Sequence, residues 1–192
     1  MLKTFNYNKN GATKTLEVFL NKRKSTQKNI ASSVYKIIQD VKRNGDKAVL
    51  KYEKKFSNIS NKNVSKSFKF SKKEINKIIS KLDNQTKRSI DLAFQRIKNF
   101  HFKQKFKPFS YKDKLNNILS YRYSPIESIG VYVPGGTASY PSSVLMNCIP
   151  AIVAKVKNIY LTTPALNQSV NPAIIYAAKK CGVKEIYKIG GP

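Results

Sequence analysis

The chain is poor in several residue types, and each shortage excludes something. Among 192 residues there are 10 acidic residues, two cysteines, one histidine and no tryptophan. Cys148 and Cys181 form no CxxC pair, which excludes a disulfide framework and a cysteine-type zinc site. A single histidine, His101, excludes a histidine-based metal cluster within these residues. No metal ligand set is therefore readable. Glu127 and Glu185 stand alone, so no carboxylate pair for general acid/base work is readable and no catalytic residue is assigned. No run of 18 apolar residues exists, so no membrane span is expected. Met1 to Asn10 lacks the apolar stretch of a secretory leader, and a cytoplasmic location is expected.

Basic charge, by contrast, is abundant. Lys and Arg number 37, for a formal net charge of +27. Such a charge is the footprint of a nucleic-acid or anionic-surface binder. Its make-up argues otherwise. Thirty-two of the basic residues are Lys and five are Arg, and Arg is the residue whose planar fork reads bases and clamps phosphates. Asn (18) and Ile (19) are also frequent, and Lys, Asn and Ile all have A/T-rich codons. A solvated, lysine-rich surface is the simpler reading, and no nucleic-acid partner is expected.

The charge is unevenly placed. Residues 1–123 hold 31 basic and 8 acidic residues; residues 124–192 hold 6 and 2. Most prolines and glycines fall in the second part, so composition changes near Ser124-Pro125. The first part reads as helices. Val34, Ile37, Ile38 and Val41 form one helical face, stopped by Asn44-Gly45, with Asp46 as a cap for the next helix. Val49, Tyr52, Glu53 and Phe56 make the next stripe. Ser71-Lys72-Lys73-Glu74 is a capping box before Ile75, Ile78, Ile79 and Leu82. Asp83 restarts a longer helix with Ile90, Phe94, Ile97 and Phe100 inward. Residues 1–29 read as an arm with a short apolar patch at Leu16, Val18, Phe19 and Leu20.

The second part alternates strands and helices. Strands are expected over Asn117–Tyr123, Ile129–Val133, Asn158–Thr162 and Val183–Ile189. Ser142 or Ser143 is expected to cap a helix through Val153, kinked at Pro150. Pro172 opens another helix that ends at Gly182. This βαβ alternation means a parallel sheet with right-handed crossovers. The fold class is α/β: a helical N-terminal part, then an incomplete Rossmann-like parallel βαβ sheet that is cut short at the C-terminus. The division is 1–29 (arm), 30–125 (mostly helical) and 126–192 (βαβαβ). The final Gly190-Gly191-Pro192 follows a strand where a helix is expected. A three-stranded sheet ending there leaves apolar surface wet. The chain therefore reads as the front part of a longer protein.

Tyr132-Val133-Pro134-Gly135-Gly136 joins a strand to a helix, where glycines permit close approach of a ligand and the helix N-terminus favours an anion. It is neither GxGxxG nor a P-loop, so an ordinary βα turn fits the bare pattern as well. Tyr132 offers a ring and a hydroxyl. His101 reads as a cap or solvated residue, and Cys148 and Cys181 as small buried hydrophobes.

Ile129 to Gly136, Tyr140-Pro141-Ser142-Ser143-Val144-Leu145-Met146-Asn147 and Ile149-Pro150-Ala151 closely resemble histidinol dehydrogenase. So do Asn171-Pro172-Ala173, Cys181-Gly182-Val183 and Ile186 to Gly191. Asn44 to Val49, Tyr52, Phe56 and Phe100-His101 match that family's front section. The resemblance covers about residues 30–192. It implies a zinc-dependent homodimer that oxidises L-histidinol to L-histidine through the aldehyde, with two NAD⁺ reduced in succession. It implies that Tyr132 is the NAD-contacting tyrosine before Pro-Gly-Gly. The family's next NAD contact, its zinc ligands and its Glu–His acid/base pair lie beyond Pro192. On this reading the chain alone is inactive. The alternatives are a basic binding module, or an inactive relative that keeps the NAD-side half.

Overall fold

The computed structural model describes residues 12–56, 68–135, 140–165 and 170–190. Gly136, Gly191 and Pro192, singled out above, lie outside the described residues. The chain divides into two compact units, one ending at Tyr52 and one running from Glu53 to Gly191.

In the first unit, α1 (Ala12–Asn44) is one helix that runs without a break across position 29–30, the expected end of the arm. Leu16, Val18 and Leu20 of the apolar patch are exposed. Gly45 ends α1 with φ +54°, a backbone region that costs glycine little. Asp46 is the first residue of α2 (Asp46–Phe56), an acid in the first turn rather than the cap itself. Asp40 ties the two helices: it accepts from Asn44 Nδ2 at 2.6 Å, Lys51 Nζ at 2.7 Å and the Tyr52 hydroxyl at 2.8 Å. Those bonds, that of Lys51 foremost, hold its carboxyl down at about 2.

The second unit is built on a parallel sheet of β3 (Ser128–Tyr132), β4 (Asn158–Thr163) and β5 (Glu185–Lys188), in the order β3-β4-β5. It is preceded by α3 (Lys72–Ile79), α4 (Asn84–Lys103) and a hairpin of β1 (Phe109–Lys112) and β2 (Ile118–Tyr121). Helices α5 (Pro141–Val153) and α6 (Pro172–Lys180) make the two crossovers. Alternation sorts the side chains. Ile129, Val131, Ile159, Leu161 and Ile186 join one core with Val144, Cys148 and Ile149 of α5 and Ile174, Ile175 and Ala178 of α6. Ile75, Ile78 and Ile79 of α3 and Ile90, Phe94 and Ile97 of α4 pack against that core. Packing is thus continuous across the composition change at Ser124-Pro125.

The capping box is present: Glu74 N–H donates to Ser71 Oγ at 3.2 Å and Ser71 N–H to Glu74 Oε2 at 2.7 Å. Asp83 caps α4 through Thr86 N–H at 2.7 Å. Three expectations need correction. Neither Ser142 nor Ser143 caps α5: Tyr140 is the N-cap, makes no side-chain bond, and Pro141 with its preset φ opens the helix. Phe100 is exposed: the side chains of α4 that reach the core are Ile90, Ala93, Phe94 and Ile97, and the stripe ends there. The last strand is also not a bare edge. Phe70 N–H donates to Ile186 O at 2.9 Å and Lys188 N–H to Phe68 O at 2.6 Å, so Phe68–Phe70 runs antiparallel along β5.

Candidate cofactor-binding edge

In a parallel sheet, ligands gather outside the carboxyl ends of the strands, where connecting loops and helix N-termini meet. Here that edge is formed by Tyr132 to Gly135 after β3, Thr163 to Ala165 after β4, and Ile189-Gly190 after β5. Tyr132 is the last residue of β3 and is 48% exposed. It lies in register with Thr162, which lies in register with Tyr187, so the three occupy one row on the sheet face opposite α5 and α6. That places an aromatic ring and a hydroxyl at the edge, free to meet a planar ligand.

The strand exits are locked together. Val133 N–H donates to Thr162 O at 2.9 Å, and the Thr162 hydroxyl donates to Ile189 O at 2.8 Å. A Cβ on Gly135 would sit 2.5 Å from Pro164 Cγ, and one on Gly190 would sit 3.0 Å from Pro164 Cβ. A side chain at Gly135 would therefore displace Pro164, and one at Gly190 would press on it closely enough that Pro164 must give by a few tenths of an ångström. Gly190 N–H donates to Glu53 Oε1 at 2.7 Å, and Glu53 is 6% exposed. Thr163 is fully buried at the end of β4, and its hydroxyl has no partner among the described residues. Asn171 caps α6 by accepting Ala173 N–H at 2.8 Å, while the first turn of α5 lacks a side-chain cap.

The other candidates lie elsewhere. His101 stands near the end of α4, with Nδ1 2.7 Å from Gln104 Oε1. It lines a cleft of about 570 Å³ with Phe106, Arg122, Tyr123, Pro150 and Lys155, at the opposite, amino-terminal edge of the sheet. The structure does not bring it to Tyr132. Cys148 and Cys181 are free and buried. Their mutual hydrogen bond, with burial, pushes the Cys181 thiol up. Both side chains sit in the hydrophobic core as small buried groups. Glu185 pairs with Lys69 at 2.5 Å, which with Tyr187 lowers its carboxyl. Glu53 escaped the sequence reading as a site residue. The available signal was an acid on the apolar stripe of Val49, Tyr52 and Phe56.

Among the described residues no three His, Cys, Asp or Glu side chains gather to hold a metal. These residues do not fit a zinc site, and no chemical step is derived through zinc. The carboxyl edge carries an exposed tyrosine, closely packed glycine exits and a helix start without a side-chain cap, groups that would suit a dinucleotide.

Fold and edge together define an α/β protein carrying part of a Rossmann-like sheet. The family model for histidinol dehydrogenase matches residues 20–192. The histidinol dehydrogenase of Pelagibacter ubique is 53% identical over all 192 residues, which span 44% of that relative. That of Agrobacterium fabrum is 42% identical over 173 residues, 90% of this chain and 40% of its own. The crystal structure of histidinol dehydrogenase from Elizabethkingia anophelis superposes with a TM-score of 0.78 at 36% identity, covering 84% of this chain and 37% of that one. The chain belongs to the histidinol dehydrogenase family. It spans less than half the length of these relatives.

Proposed function

We propose that this chain is the NAD-side portion of an oxidoreductase that converts L-histidinol to L-histidine through the aldehyde, the last step of histidine biosynthesis. The observation that carries the reading is the family match over residues 20–192 together with the exposed Tyr132 at the carboxyl edge of the sheet. Bound NAD⁺ supplies the hydride acceptor. The chain's own residues hold it. Tyr132 presents its ring and hydroxyl, and the exits at Gly135 and Gly190, packed on Pro164, fix the rim beside it.

The family's zinc, its substrate contacts and its Glu–His acid/base pair belong, in this reading, to the part of the relatives that the chain does not span. Residues 1–29, 30–125 and 126–192 then serve as arm, helical part and cofactor part. The complete protein is a cytoplasmic homodimer. No helix among the described residues is long and apolar enough to cross a membrane. The test is histidinol-dependent NADH formation, followed by absorbance with zinc present. The chain alone is expected to give none. Sustained turnover would contradict the assignment of the reacting groups to other sequence.

A further inference from the structure

Glu53 is a carboxylate almost withdrawn from water, and such a group is costly unless its oxygens are bonded. Its Oε1 accepts the Gly190 N–H at 2.7 Å, at the point where the chain leaves β5. Charge-assisted bonds of this kind are stronger than neutral ones and fix geometry. From Gly190 a ladder of contacts leads back to Tyr132. Ile189 O accepts the Thr162 hydroxyl at 2.8 Å. Thr162 O accepts Val133 N–H at 2.9 Å, and Thr162 is the register partner of Tyr132. Pro164 sits against both Gly135 and Gly190, which closes the stack from the other side.

We propose that Glu53 is a positioning residue for the cofactor edge: its buried carboxylate holds the Gly190 exit against Pro164 and so sets the rim on which Tyr132 meets the nucleotide. This rests on the NAD reading above. Glu53 touches no cofactor in this scheme; it acts through the backbone of Gly190. A glutamine keeps a carbonyl acceptor at the same reach, an aspartate falls one methylene short, and an alanine removes the acceptor.

The test is calorimetric titration of the full chain with NAD⁺, paired with thermal midpoints, for the native protein and Glu53→Gln, Glu53→Asp and Glu53→Ala. Tyr176→Phe serves as a control, since it removes a bond to Asp91 in the helical layer without touching the edge. Glu53→Ala is expected to weaken NAD⁺ about tenfold or more, Glu53→Asp by roughly threefold, and Glu53→Gln by less than about threefold. Tyr176→Phe is expected to lower the midpoint and leave the affinity alone. Should Glu53→Ala fail to fold, Glu53→Asp against Glu53→Gln decides. An unchanged affinity in the alanine or aspartate variant would overturn the proposal while leaving the NAD reading intact. A glutamine variant as weak as alanine would do the same. Absence of NAD⁺ binding by the native chain would remove the NAD reading and this proposal with it.

Discussion

Glu74 accepts Ser71 N–H at 2.7 Å through Oε2 and the Lys188 ammonium at 2.6 Å through Oε1. One carboxylate thus closes the capping box of α3 and pins that helix to β5. The Lys188 bond is the larger cause, the Ser71 backbone bond the next, and together they lower the Glu74 carboxyl from an ordinary 4.5 to about 2. The sign follows from linkage. A carboxyl depressed in the folded state stabilises the fold above its unfolded value, and that contribution is lost as pH falls from about 4.5 toward 2. Asp40, Asp83, Asp113 and Glu185 are lowered as well and act in the same direction. Thermal midpoints between pH 6 and pH 2 are expected to fall for the native chain. Glu74→Gln is expected to start lower and fall less steeply. An identical slope in the variant would show that the pair does not contribute.

At the scale of elements, the strongly periodic segments could be read from sequence. The stripe Ile75, Ile78, Ile79 needed only its spacing, and the capping box and Asp83 cap announced their helices locally. The βαβαβ order followed from alternating runs of different period. The place of Tyr132 at the end of a strand was legible from the Pro134-Gly135 that follows it. What stayed hidden depends on partners far along the chain. Strand β1 is exposed throughout and, among the described residues, pairs only with β2, so no burial pattern marks it. Phe68–Phe70 is strand-like only because β5 lies beside it, and Glu53 gains its role from Gly190, 137 residues away. The turn between β1 and β2 does have a local cause. Asp113 Oδ1 accepts Leu115 N–H and Asn117 N–H, each at 2.8 Å, and Oδ2 accepts Asn117 Nδ2 at 3.0 Å. Asn116 takes φ +67°, a region asparagine tolerates. A two-stranded hairpin is marginal in water, so this turn is expected to decide its order. In Asp113→Ala, amide exchange at Leu115 and Asn117 is expected to quicken by roughly tenfold while core amides of β4 stay protected. Unchanged exchange in the hairpin would count against the turn as its organiser.

At the scale of the whole molecule, the +27 charge is dominated by lysines that have few carboxylates to meet. Like charges on one surface destabilise the compact state, and added salt screens them. The thermal midpoint is expected to rise as sodium chloride goes from about 20 to 300 mM, over which the screening length shrinks about fourfold. A falling midpoint would mean that the ion pairs of Asp40, Glu74, Asp91 and Glu185 outweigh the repulsion. A charge of this size favours contact with polyanions that weakens as salt rises. The cofactor reading concerns the sheet edge instead, where exposed tyrosine and crowded glycine exits meet. The most direct measurement is a calorimetric titration of NAD⁺ into this chain and into Tyr132→Ala, at fixed salt. Saturable binding by the native chain, weakened about tenfold or more in the variant, is the expected result. No binding by the native chain, or equal affinity in the two, would contradict the assignment of this edge to NAD.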